Sequence, residues 1–411
     1  MTEEQPLPLE GLRVVDAASL FAAPLIGTMM GDFGADVIKI EHPTGDNLRG
    51  FGWNRDGVSL WWALVGRNKR SVALRLSDPR GARVLKELLK DADVFIENFR
   101  PGRLEEWGLG WDELHELNPR LVMVRTTGFG QTGPYKDRPG FGTLAEAMSG
   151  FAHINGHPDG PPTLPPLALA DSVAGLVGTC AVMFALWWRE HGPGTGQMID
   201  LSIYEPLFWL LGAQASVYDQ LDIIQGRTGN RAPFTSPRNS YRSRDGKWIV
   251  VSGSSQSIAE RIMTAVGRPD LVACDWFRTH EGRLSNQDVL DDAISGWIGE
   301  RDAAEVLRIF EIHEAAAAQV YDIADFLADP HVIARETVTT VDHPELGPLR
   351  MQNVVPRMGT TPGRIRHPGA ALGAHNFEVL VEELGISEDE LDDLVADGVM
   401  AGPTRTNEVT R

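Results

Sequence analysis

Short apolar runs alternate with longer segments of helical period through the first two hundred residues. Residues 12–16 (LRVVD) and Asp36–Glu41 (DVIKIE) have the length and β-branched content of buried strands. Between them lies the apolar stretch PLIGTMMGDFG, opened by Pro24 in the first turn of a helix, so the three segments predict a strand–helix–strand unit. The alternation continues with a strand at 71–76 (SVALRL), an amphipathic helix at 81–90 and a strand at 93–96. A helix at Trp111–Leu117 and a strand at 121–125 follow. Strands and helices in this order imply an open, mostly parallel sheet with helices on its faces.

From residue 171 to 188 and from 204 to 221 the pattern becomes long, apolar and helical, with a turn at 192–196 and a short strand at 197–201 between. Residues 226–238 are polar and contain Gly and Pro, which reads as a connector. A hairpin at 239–243 and 247–252 then turns on Asp245-Gly246, and helices occupy 256–312. Strand candidates return at 337–341 and 349–355, and a helix at Glu388–Ala396 starts with Ser387 as N-cap and Glu390 three places on. Residues 404–411 read as a frayed end. The reading is α/β: a large domain formed by 1–225, a small α+β domain at 226–325, and a return to the large domain over 326–411.

Charge narrows the partners. The net charge is −19, which argues against nucleic acid or an anionic membrane as the main partner. Residues 1–110 hold 14 Lys/Arg against 16 Asp/Glu, so an anionic ligand meets its mildest field there. Two cysteines, Cys180 and Cys274, without metal or redox spacing suit a reduced, cytoplasmic compartment, and the acidic MTEEQPLPLE start is not a secretory signal. The uncharged run 172–188 has 17 residues, and a bilayer span needs about 20, which reads as a buried core helix.

Motifs remove several chemistries. No GxGxxG follows the first strand, and neither a P-loop nor a GxSxG elbow occurs. His153 and His157 are four apart but lie in a Gly/Pro-rich stretch without a helix to align them, so no metal site is expected. Locally, Asp171 ahead of an uncharged helix reads first as an N-cap.

Eight short blocks occur in order: 9–16 (LEGLRVVD), 34–41 (GADVIKIE), 68–74 (NKRSVAL), 92–102 (ADVFIENFRPG), 128–135 (GFGQTGPY), 168–171 (ALAD), 194–200 (GTGQMID) and 241–246 (YRSRDG). Together they resemble the family III (CaiB/BaiF-type) CoA transferases, which include formyl-CoA:oxalate and carnitine CoA-transferases and, as a branch, α-methylacyl-CoA racemase. The resemblance spans residues 9–385. It implies a Rossmann-like large domain built from both chain ends, an inserted small domain, and an interlocked homodimer. It also implies an acyl-CoA donor, a carboxylic acid acceptor and no permanently bound cofactor, coenzyme A being a substrate.

The resemblance makes Asp171 the nucleophile, passing through an aspartyl anhydride and an aspartyl-CoA thioester. CoA contacts carried over are Phe21, Ala22, Leu74, Arg75, Leu76, Ser77, Asn98, Phe99, Arg100 and Arg138. His42 stands where many relatives have Arg, and Arg49, Lys69, Arg70, Arg75 and Arg103 are candidates to compensate. Oxyanion donors are expected near 128–133 or at Gly253. The racemase branch's histidine position falls on Phe141 and its glutamate position near Ser255, so transfer is the expected reaction, with racemisation and non-catalytic CoA-ester binding as the alternatives. Trp53, Trp61 and Trp62 are acyl-pocket candidates, and Arg55, Arg238 or Arg242 could receive a second carboxylate, as in a succinyl group.

Overall fold

The computed structural model describes residues 6–403; the end segment 404–411 lies outside the described residues. Six strands form the main sheet: β1 (Arg13–Asp16), β2 (Asp36–Glu41), β3 (Lys69–Ala73), β4 (Val94–Glu97), β5 (Val122–Thr127) and β6 (Met198–Ser202). Their order is β3-β2-β1-β4-β5-β6 and every pairing is parallel. This is the doubly wound order, in which the direction of winding reverses between β1 and β4.

Each strand is apolar on both sides because both faces are covered. Val15, Ile38, Val72, Phe95 and Met123 pack with α2 (Pro79–Leu89), through its Leu85 and Leu88, and with Val379, Leu380, Leu391 and Leu394 from far along the chain. Val14, Val37, Val94, Ile96 and Val124 pack on the opposite side with α1 (Ala22–Asp32), through Ile26 and Met30, and with Val182, Ala185 and Leu186.

The β3 edge is completed from far along the chain. Leu74 forms an antiparallel bridge with Met400, and the Arg75 N–H donates to the Val399 carbonyl at 2.8 Å. Asn376, fully buried, accepts from Ala73 N at 3.0 Å and donates to the Ala401 carbonyl at 2.9 Å.

A charged network lies beneath the loop after β1. Asp16 accepts from Lys69 at 2.9 Å and stands 3.6 Å from Lys39, whose ammonium also faces Asp46 at 3.4 Å and donates to the Ala18 carbonyl. All four side chains are 2% exposed or less. Burial works to raise the Asp16 pKa, yet Lys39 and Lys69 hold it below its usual value.

The chain divides into two compact units. The first holds residues 1–151, 165–212 and 336–411, so both chain ends build it. The second holds 152–164 and 213–335. It is wider than the polarity break at 226 suggests, because hydrogen bonds from Gly229 N to the Gly156 carbonyl and from Arg227 to the His153 carbonyl bind the early segment to it. Its sheet has three antiparallel strands in the order Ala317–Gln319, Trp248–Ser252, Arg238–Arg242.

The long apolar helix differs from the expectation of a core helix. It runs Leu169–His191 and is, among the described residues, long and apolar enough to cross a membrane. Its apolar residues encircle it, so one face packs on α1 while Leu176, Phe184, Trp187 and Trp188 are exposed.

Candidate active site

Parallel strands place all their C-terminal ends on one edge of the sheet, and ligands of doubly wound folds bind there. The carried-over contacts follow β1 (Phe21, Ala22), β2 (His42), β3 (Leu74, Arg75, Leu76, Ser77) and β4 (Asn98, Phe99, Arg100), so the topology gathers them along that edge.

Their environments differ. Phe21 precedes α1 and meets Trp61 edge-on at 5.1 Å. Asn98 accepts from Ser19 N at 2.9 Å and donates to the Ser19 carbonyl at 2.8 Å, clamping the β1 loop across the point where the winding reverses. Its amide is therefore already engaged with backbone. Phe99 packs edge-on against Trp107 at 5.2 Å. Leu74 and Leu76 are buried, while Leu76 and Ser77 border a cavity of about 650 Å³ also lined by Arg83, Lys86 and Trp107. His42 is exposed, and its Nδ1 accepts from Thr44 N at 3.2 Å. Partial burial and then the charge of Arg75 hold its pKa below the usual value, which favours the neutral ring.

The basic residues separate into two groups. Arg49 is paired with Glu41 at 2.7 Å, Lys69 with Asp16 at 2.9 Å, Arg103 with Glu106 at 2.7 Å, and Arg70 with Asp36 at 2.6 Å and Glu378 at 2.9 Å. Carboxylates of the same chain already hold these four. Arg75, Arg100 and Arg138 make no ion pair among the described residues, and the Arg75 Nε is buried without a partner. Arg138 lies over the Tyr135 ring at 3.5 Å. An unpaired buried guanidine N–H is costly, which marks Arg75 as a place for an anion.

The tryptophans do not form one wall. Trp62 is core and donates to the Ala370 carbonyl at 2.9 Å, Trp61 stands beside Phe21, and Trp53 is 82% exposed. Arg55 faces Asp56 at 3.6 Å, and Arg238 donates to the Asn230 carbonyl at 3.0 Å.

Asp171 sits in the first turn of the helix Leu169–His191, which starts three residues earlier than the cap reading requires. The cap position is Ala168, and the Asp171 carboxylate accepts no hydrogen bond among the described residues. It lies against Gly142, the first residue of the helix Gly142–Met148: a β-carbon there would stand 2.2 Å from Asp171 Oδ2. Burial, and then the charge of Glu146, push the Asp171 pKa up to about 6. The N–H of Ala170 donates instead to Glu146 Oε1 at 3.4 Å. Glu146 is 3% exposed and was missed by sequence reading; a lone acid inside LAEAM is its one signal. Ala22, Ala145, Ala170 and Ile203 form the apolar floor here, which ties the start of α1 to the Asp171 turn.

The glycines expected to supply oxyanion donors are partly committed. The Gly130 N–H donates to Thr127 Oγ1 at 2.9 Å, and the backbone of Gly128 packs against that of Gly140. In the second unit the Gly253 N–H donates to the Pro237 carbonyl at 2.7 Å, so it is not a free donor.

The model for CoA-transferase family III matches residues 9–376. The chain is 44% identical to the succinyl-CoA–L-malate CoA-transferase beta subunit of Chloroflexus aurantiacus, over 94% of this chain and 97% of that one. It is 41% identical to the succinyl-CoA–D-citramalate CoA-transferase of the same organism, over 97% of this chain and 100% of that one. A crystal structure of a CAIB/BAIF family protein from Brucella suis superposes with a TM-score of 0.80 at 28% identity, covering 92% of this chain and 100% of that one. With the doubly wound sheet and the ordered blocks, these findings establish that the chain is an enzyme belonging to CoA-transferase family III.

Proposed function

We propose that this enzyme transfers CoA from succinyl-CoA to a dicarboxylic acid, with Asp171 as nucleophile. The observation that carries the reading is the Asp171 carboxylate itself, half-buried and without a hydrogen-bond donor among the described residues, which leaves its lone pairs unstabilised and basic. The donor rests on the names of the two relatives above, both succinyl-CoA transferases.

An Asp171 oxygen attacks the thioester carbonyl, the C–S bond breaks, and CoA thiolate departs, leaving a mixed anhydride. The thiolate attacks the aspartyl carbonyl of that anhydride, releasing succinate and forming an aspartyl-CoA thioester. The acceptor carboxylate attacks this thioester and expels the thiolate again. The thiolate then takes the acceptor's acyl carbon, giving the new acyl-CoA and free Asp171. No net proton or electron moves. Arg75, with Arg100 and Arg138, holds CoA phosphates at the sheet edge.

Racemisation is disfavoured by the residues at the branch-specific positions. Phe141 carries no titratable group, and the Ser255 hydroxyl caps the helix Gln256–Ala265 by accepting from Ile258 N at 3.3 Å. The exposure of the large apolar side chains Phe184, Trp187, Trp188 and Trp209 supports the homodimer, since large exposed apolar patches mark interfaces.

The test is to incubate the protein with succinyl-CoA, quench with hydroxylamine or borohydride, and map the peptides. A hydroxamate or reduced side chain at Asp171 is expected. Unmodified Asp171 with succinyl-CoA and a broad acyl-CoA panel overturns the reading.

A further inference from the structure

The helix Leu169–His191 begins without a side-chain cap of its own, although an aspartate stands in its first turn. A first-turn carboxylate ordinarily turns back onto the free N–H groups of its helix. Asp171 does not. The Ala170 N–H is instead taken at 3.4 Å by Glu146, which comes from the neighbouring helix Gly142–Met148 and is 3% exposed. Glu146 stands four residues beyond Gly142, so both lie on one face of that helix. One face thus receives the Asp171 carboxylate on a bare glycine and supplies the cap that Asp171 would otherwise provide.

We propose that Glu146 is a positioning residue that caps the Asp171 helix from outside, leaving the Asp171 carboxylate uncapped and turned toward the thioester. This rests on the reading of Asp171 as nucleophile. Other charged or titratable groups on elements packed against the Asp171 helix are engaged elsewhere. Asp32 pairs with Arg67, Arg125 with Glu97 and Glu105, Asp200 accepts from Gln131 N, and Glu205 accepts from Ser202. Tyr204 is partly buried beside Glu205. Of all these, Glu146 is the charge that acts on Asp171.

Two variants separate cap from charge. Glu146→Gln keeps an oxygen acceptor for Ala170 N and drops the charge; Glu146→Ala drops both. The first readout uses free protein without any CoA ester: the pH dependence of carbodiimide labelling at Asp171, mapped by mass. Glu146→Gln is expected to lower the labelling midpoint by about one pH unit. Because it keeps the cap, Glu146→Gln is expected to form aspartyl-CoA faster at pH 8 than Glu146→Ala does. Glu146→Ala is expected to lower the midpoint further, as Asp171 turns onto the vacated N–H groups. It should also slow adduct formation at least tenfold, with kcat falling and KM for succinyl-CoA unchanged. Unmoved midpoints in both variants overturn the proposal, and so does a full rate in Glu146→Ala. If that variant does not fold, the Glu146→Gln midpoint decides: a lowered midpoint supports the proposal and an unmoved one overturns it. If the parent forms no adduct, the nucleophile reading fails by itself, while the labelling midpoints still report whether Glu146 governs Asp171.

Discussion

The Asp171 carboxylate rests on the bare backbone of Gly142, at a distance no β-carbon could share. Gly142→Ala should push the carboxylate from its place. We expect aspartyl-CoA formation to fall at least tenfold, since small misplacements of a reacting atom are expensive, while the melting temperature moves by only a few degrees. A Gly142→Ala enzyme with a rate within twofold of the parent would show that the contact has no bearing on the reaction.

With Asp171 as the proposed nucleophile, its ionisation sets an acid limit. The carboxylate must be charged to attack, and burial together with Glu146 places its pKa near 6. At saturating acceptor, kcat/KM for succinyl-CoA is expected to be level above pH 7 and to drop tenfold per pH unit below about 6. A plateau extending to pH 4.5 contradicts this.

The same raised pKa carries a stability cost with a definite sign. A carboxyl whose folded pKa lies above its unfolded value of 3.8 favours the folded state below that value, and the benefit is lost as pH rises through about 6. Asp171→Asn should therefore be more stable than the parent at pH 8, by up to about 3 kcal/mol before solvent screening reduces it. The gap should shrink by pH 5. Urea unfolding at the two pH values measures it, and an equal or negative gap at pH 8 refutes it.

Arg75 and Arg49 make a contrasting pair. Arg75 has no ion-pair partner among the described residues, and Arg49 is held by Glu41 at 2.7 Å and stacks on Trp62. Arg75→Ala is expected to raise KM for acyl-CoA about tenfold with kcat and stability nearly unchanged. Arg49→Ala should instead destabilise the fold. Equal KM values for Arg75→Ala and the parent would remove Arg75 from the CoA contacts.

The buried network under the β1 loop predicts a large stability effect. Asp16→Ala leaves Lys39 and Lys69 without their shared carboxylate, at an expected cost of about 3–5 kcal/mol. Denaturant titration tests this, and a loss below 1 kcal/mol would mean that Asp46 alone suffices.

Much of the fold was legible because apolar runs and turns are local signals. The strand Asp36–Glu41 and the cap at Ser387, which accepts from Glu390 N at 3.2 Å, lie where the pattern places them. The strand expected at 71–76 runs Lys69–Ala73 instead. Lys69 looks like a loop residue until Asp16, more than fifty positions away, neutralises it inside the sheet. Distance along the chain also hid which arginines are free: the partners of Arg70 include Asp36 and Glu378, which no local window contains. Asp171 was singled out through its block, but the contact of Glu146 with Ala170 N beside it exists only once two helices meet.

The bridge between Leu74 and Met400 has a consequence for synthesis. The segment carrying Arg75 takes its backbone partners from residues 399 and 400, and Ala73 takes its own from Asn376. While the ribosome still holds those residues, the earlier strands are already made but this sheet edge lacks its last support. A nascent chain therefore carries an unfinished edge at Leu74 until residues 376–400 have left the ribosome. Substrate bound at that edge, as proposed, would favour this closing step over any earlier one.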